Sequence, residues 1–236
     1  MRAPAPLVSV ILLLLCGGAA CADDKEAIRL YGEATKHWRD PDPSKAVAFA
    51  EKAVEAADSK KIRLSALLLL GRAHSARTGD LDAALKAYEE IIQAVSPARE
   101  RDRPFAGLRA DALLSKGNIL YAERDDTPGA LRCYSLSYDT VPSAANTDVL
   151  SQVLLRQAWP KRSDDSSKAR AEMEKALNYS KEAVHLERSG RKRPELVAKY
   201  RLQLLIVLTA LERKQDAEKL RARCGAAHGD TERRRQ

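Results

Sequence analysis

One spacing of small and aromatic residues recurs in this chain and limits what it can fold into. Gly71, Ala84 and Tyr88 reappear, each 46 positions on, as Gly117, Ala130 and Tyr134. Within each set the Gly-to-Ala interval is 13 and the Ala-to-Tyr interval is 4. Pro97 and Pro142 close the two units. A glycine on one helix lets a second helix approach closely, and a small Ala early in the second does the same from the other side. The aromatic four residues later lies on that same face and fills the space between adjacent units. The Pro stops the second helix. Gly79-Asp80 and Asp125-Asp126-Thr127-Pro128 supply the turns, with Gly79 suited to a C-cap and Asp80 or Thr127 to an N-cap.

Three further units can be placed on the spacing of small residues. Tyr31-Gly32 followed by Ala46, Ala50 and Ala53 reads as the first, with Ser44 as its N-cap. Ala158 followed by Ala169, Met173 and Ala176 reads as the fourth, where Arg156 stands in the glycine position. Leu204 to Cys224, with Ala217 as the small residue, reads as the fifth. The key Ala positions 46, 84, 130, 169 and 217 are separated by 38, 46, 39 and 48 residues. The two longest steps hold Arg-rich connections, Ala98 to Leu108 and Arg188 to Pro194. Helices are predicted over 25–38, 44–57, 61–77, 81–95, 105–123, 128–139, 147–158, 165–188, 194–212 and 215–225. Aromatics are only 5% of the chain, and β-branched runs and turn clusters are too few for a sandwich or barrel. A helical bundle with Ala-rich contacts is the alternative.

The run from Leu70-Gly71-Arg72-Ala73 through Gly79-Asp80 to Ala84 and Tyr88 resembles a tetratricopeptide repeat. Lys116-Gly117-Asn118 through Gly129-Ala130 to Tyr134 is a second match. Each carries one extra residue in its turn, and Leu67 and Leu113 replace the family's large aromatic before the glycine. The steps also exceed the roughly 34 residues of the standard repeat. The resemblance implies an all-α solenoid of about five helix-turn-helix units over residues 23–226, acting as a protein-binding scaffold. The first helix of each unit then lines a concave groove, which places Glu33, Lys36, Arg72, Ser75, Asn118, Tyr121 and Gln157 against a protein or peptide partner. Arg29, His37, Leu68, Leu114 and Val153 fall at neighbouring groove positions. Packing between units rests on Gly32, Ala46, Gly71, Ala84, Tyr88, Gly117, Ala130, Tyr134, Ala169 and Ala217. Some family members clamp a carboxylate with Lys and Asn. Asn118 occupies a matching place, but Leu68 and Leu114 stand where Lys is expected.

The leader is an address. Met1-Arg2 precedes an apolar run from Leu7 to Cys16, which is shorter than the ~20 residues a bilayer span needs. Ala20-Cys21-Ala22 is an A-x-A site with cleavage before Asp23, so residues 1–22 read as a signal peptide. Ala19-Ala20-Cys21 also resembles a bacterial lipobox, with Gly18 where Leu is usual. That makes Cys21 a lipidation candidate and the protein either periplasmic, secreted or anchored in the cell envelope as a component of an assembly complex.

The formal net charge is +8, concentrated at Arg188, Arg191, Lys192 and Arg193 and at Arg233 to Arg235. These clusters have no interleaved aromatics, so nucleic acid has no stacking platform. Residues 227–236 read as a basic disordered tail. Beyond the leader only Cys133 and Cys224 remain, 91 positions apart. The His residues show no metal-ligand spacing, and no nucleophile with its base or phosphate-binding Gly loop occurs. The expectation is a non-enzyme without cofactor or metal.

Overall fold

A computed structural model describes residues 24–40, 42–160, 166–189, 194–211, 216 and 219–221. Among them every regular element is helical. The helices are α1 (Asp24–Lys36), α2 (Ser44–Ala56), α3 (Lys60–Ala73), α4 (Leu81–Ala94), α5 (Ala106–Ala122), α6 (Thr127–Thr140), α7 (Ala144–Ala158), α8 (Ser166–Ser189) and α9 (Pro194–Ala210). The expected leader, the residues beyond 221 and Ala217 lie outside the described residues.

Four of the helices, α3, α4, α6 and α7, start where a side chain satisfies a free backbone N–H. Ser59 accepts from Ile62 N before α3, and Asp80 accepts from Ala83 N before α4. Asp126, not Thr127, caps α6 by accepting from Gly129 N at 2.9 Å. Ser44 is the first residue of α2 rather than its cap; its N–H donates to the Asp42 carboxylate at 2.9 Å. Ser143 and Asn146 form a reciprocal capping box that starts α7 three residues earlier than predicted.

The extra residue in each interhelical turn has a common physical form. After α3 the backbone widens into a π turn, His74–Thr78, in which Gly79 N–H donates to His74 O at 2.9 Å. After α5, Arg124 N–H donates to Ile119 O at 3.2 Å, again five residues back. Each turn then passes through a left-handed residue, Gly79 at φ 74° and Asp125 at φ 51°. Glycine tolerates that region without strain, and Asp is among the few others that do.

Packing follows chain order. Each helix lies against the next, and α1 also touches α3, α3 touches α5, and α7 touches α9. Every main core cluster draws on three or more successive helices. Leu64, Leu67, Tyr88, Ile91, Ala112 and Ile119 share one that bridges α3, α4 and α5. Leu155, Ala158, Met173, Leu177, Val207 and Leu208 share another across α7, α8 and α9. No hairpin closes its own core, so each relies on its neighbours, the arrangement of an α-solenoid.

Candidate functional site

The repeated glycines face the repeated tyrosines. A Cβ built on Gly71 would sit 2.6 Å from Tyr88 Cε1, and one on Gly117 2.5 Å from Tyr134 Cε1. Both rings are fully buried. Each ring therefore lies in a notch cut by the glycine of its own hairpin, a closer engagement than the inter-unit filling that the sequence suggests. The ring tips emerge on the side of α3 and α5. Tyr134 Oη donates to Asn118 Oδ1 at 3.0 Å, and Tyr88 Oη shares a hydrogen bond with Ser75 Oγ at 3.4 Å. Burial raises both phenol pKa values, and Ser75 and Ser115 oppose the shift at Tyr88. Ala84 and Ala130 are completely buried beneath the same helices.

The outer units use other residues. Gly32 has open space where its Cβ would lie, so it cuts no notch. Ala34, two positions on, is fully buried on α1, as is Ala27, and Ala46, Ala50 and Ala53 are the buried small residues of α2. In the fourth unit Arg156 points outward, and a stripe of small residues replaces the notch. Ala144, Thr147, Ser151 and Ala158 on α7 are buried, as are Ala169, Ala176, Ser180 and Ala183 on α8. Ser151 and Ser180 join through their hydroxyls at 2.6 Å inside this seam.

The odd-numbered helices form one layer, and polar side chains link them across it. Arg72 on α3 donates to Asp111 on α5 at 3.3 Å. Arg156 on α7 donates to Tyr121 Oη on α5 at 3.1 Å, with its guanidinium 5.8 Å from the ring centre. Asp111 is 53% exposed, yet burial raises its carboxyl pKa against the pull of Arg72. Tyr31 on α1 completes the line: burial raises its phenol, and the Arg72 charge acts in the opposite direction.

The structure brings Arg72, Ser75, Asn118 and Tyr121 into this layer around α3 and α5, with Gln157 half-buried on α7. Glu33 and Lys36 stand apart at the end of α1. They pair with each other at 3.6 Å, and Glu33 Oε2 also lies 3.7 Å from His37 Nε2. Arg29 pairs with Glu26 on its own helix at 2.6 Å. Leu68 and Val153 are buried, so neither lines a groove. Asp111, Arg156, Tyr31 and Ser115 are members that sequence reasoning missed. Asp111 was within reach, because it lies six residues before Gly117, one turn further along the face that carries Leu114 and Asn118.

Cys133 is a free, buried cysteine whose thiol pKa is raised by desolvation. Cys21 and Cys224 lie outside the described residues. Among the described residues no group of three or more His, Cys, Asp or Glu side chains is placed to hold a metal ion, and no helix is long and apolar enough to cross a membrane. No family model matches the chain, and no curated protein matches its sequence.

Proposed function

We propose that the chain is a tetratricopeptide-like, non-catalytic scaffold that binds a protein or peptide on the layer formed by α1, α3, α5 and α7. The observation that carries the reading is the line of polar groups that links successive odd-numbered helices, Arg72 to Asp111 at 3.3 Å and Arg156 to Tyr121 at 3.1 Å. Such a surface offers an extended chain both hydrogen-bond donors and acceptors. Asn118 Oδ1 accepts from Tyr134, and its amide nitrogen and the remaining guanidinium N–H groups of Arg72 are further donors. The duplicated glycine–tyrosine notch supports the repeat assignment, because two hairpins of unlike sequence solve one packing problem with the same atoms.

The same reading makes the protein an exported one, processed after residue 22 or lipidated at Cys21. The layout of the leader supports this, and mass spectrometry of the mature N-terminus tests it: a free Asp23 or a diacylated Cys21 is expected, and an intact Met1 overturns it. The binding role is tested by affinity capture from the envelope fraction, with wild type beside a variant carrying Arg72→Ala, Asn118→Ala and Tyr121→Ala. Loss of the wild-type partners from a variant that still melts cooperatively is expected. Recovery of the same partners by the variant excludes this layer as the site.

A further inference from the structure

Apolar burial is divided between two parts of the helix array. The α3–α5 cluster extends only to Val54 on α2, and the α7–α9 cluster only to Leu220 beyond α9. A third cluster, Ala144, Ala183 and Tyr200, also stays within α7–α9. None of the three crosses the boundary between α6 and α7. The cluster that does is small: Ala130 and Tyr134 on α6 meet Leu150 and Val153 on α7. The boundary between α2 and α3 is small too, with Leu30, Ala53 and Ala66 buried. That boundary sets off a terminal hairpin, where fraying is ordinary. The α6–α7 boundary instead separates two blocks that each hold a large core.

Polar contacts carry much of this boundary. Ser137 on α6 donates to Ala110 O at 2.8 Å and accepts from Asn146 Nδ2 on α7 at 3.3 Å. Tyr138 Oη lies 3.0 Å from both carboxylate oxygens of Glu182 on α8, and its ring meets Tyr179 edge-on at 5.5 Å. Nine polar residues are buried among the described residues, and seven of them lie on α6, α7 and α8. Four stand in the first half of α7: Asn146, Thr147, Asp148 and Ser151. Asp148 Oδ2 accepts from Gln152 at 2.9 Å and from Lys199 at 2.8 Å, whereas its Oδ1 is buried without a partner. The other two buried polar residues, Asp24 and Asp102, belong to the first block and are bonded there. Asp24 accepts from Ser59 N at 3.0 Å, and Asp102 accepts from Ser96 N at 2.9 Å and from Lys60 Nζ at 2.5 Å.

We infer that α7–α9 opens as one unit, released at the α6–α7 boundary, while α3–α6 stays folded. Parting two apolar faces exposes hydrocarbon to water with nothing to offset it. Parting hydrogen-bonded groups returns them to water, which replaces most of each bond. The unpartnered Asp148 oxygen gains a partner on opening, and that favours the open form further. The clusters within α7–α9 bind its three helices to one another, so they release together rather than turn by turn. Opening also parts Arg156 from Tyr121, so the polar line over α3, α5 and α7 is complete only while the block is closed. A partner seated on that line then favours the closed form. This last consequence rests on the binding proposal; the block itself does not.

Native-state amide exchange of the full chain, followed in increasing sub-denaturing urea, is the test. Amides in the turns around Leu155, Leu177 and Val207 should converge on one opening free energy and one urea slope. Both should be smaller than those shared by the turns around Leu67, Ile91 and Ile119. Without urea the first group should exchange at least about tenfold faster than the second. Tyr138→Phe removes the bonds to Glu182 and keeps the ring, so it should speed the first group about tenfold and leave the second unchanged. Gly71→Ala, inside the other block, should speed only the second. A single opening free energy and slope for both groups overturns the proposal, and so does residue-by-residue exchange in α7–α9 with no common slope. Tyr138→Phe acting on both groups alike, or on neither, overturns it as well. These readouts use the chain without a partner, so failure of the binding proposal is seen separately in the capture experiment.

Discussion

Replacing each of three helical glycines with alanine should give opposite signs at positions that look alike in sequence. Glycine inside a helix is less stable than alanine by about 0.5–1 kcal/mol, because it loses more backbone freedom on folding. At Gly32 the added methyl meets nothing within 4 Å, so Gly32→Ala should realise that gain and raise the melting temperature. At Gly117 the methyl would lie 2.5, 2.8 and 3.1 Å from Cε1, Cδ1 and Cζ of Tyr134, and at Gly71 the distances to Tyr88 are 2.6, 3.0 and 3.0 Å. These are ring atoms of fully buried side chains, so relief requires the ring or the helix to move. Overpacking of this kind costs about 1–3 kcal/mol, which exceeds the propensity gain. Gly71→Ala and Gly117→Ala should each be net destabilising by about 1 kcal/mol, or some 2–4 °C for a chain of this size. Urea unfolding of the three variants beside wild type is the assay. If Gly71→Ala and Gly117→Ala stabilise as Gly32→Ala does, the notches do not exist.

Two other outcomes follow from buried or half-buried polar groups. Ser151→Ala and Ser180→Ala should each cost about 1–2 kcal/mol, because each leaves the other hydroxyl buried and unpaired, while the double variant should fall well short of their sum; additive losses in urea unfolding would mean that the hydroxyls do not pair. Asp111 has a raised carboxyl pKa, so its ionised form opposes folding and that opposition grows as pH rises through the folded-state value. Asp111→Asn should therefore keep or raise the melting temperature at pH 7, with the advantage over wild type vanishing in acid. A lower melting temperature for the variant at pH 7 would show that the Arg72 pairing outweighs desolvation.

Helix positions and the central hairpins were legible because they rest on local spacing. The predicted 81–95 and 105–123 lie within one residue of α4 and α5 at each end, counting the caps. The outer units were less legible for a specific reason. Tyr31-Gly32 matches the motif by residue type, but its Gly-to-Ala interval is 14 rather than 13, and Gly32 is exposed while Ala34, 12 positions before Ala46, is buried. In the fourth unit the Ala158-to-Ala169 interval, 11 like Ala73-to-Ala84, was informative and the missing glycine was not, since small side chains along α7 and α8 fill that seam instead. The cross-helix pairs were the least accessible. Arg72 and Asp111 are 39 positions apart, and only the stacking of α3 on α5 makes them neighbours. Buried Asp102 was hidden in the same way, because an acid inside an Arg-rich stretch reads as part of a solvated run until its partner Lys60 is placed.

The widened turns after α3 and α5 determine where these hairpins can change length. An insertion in the body of a helix rotates everything beyond it by about 100° and would swing Tyr88 or Tyr134 away from its notch. A surplus residue taken up at the hairpin tip, as a five-residue backbone loop followed by a left-handed kink, leaves the returning helix in phase. Divergence among hairpins of this kind should accumulate at the tips, while the seam keeps its periodicity.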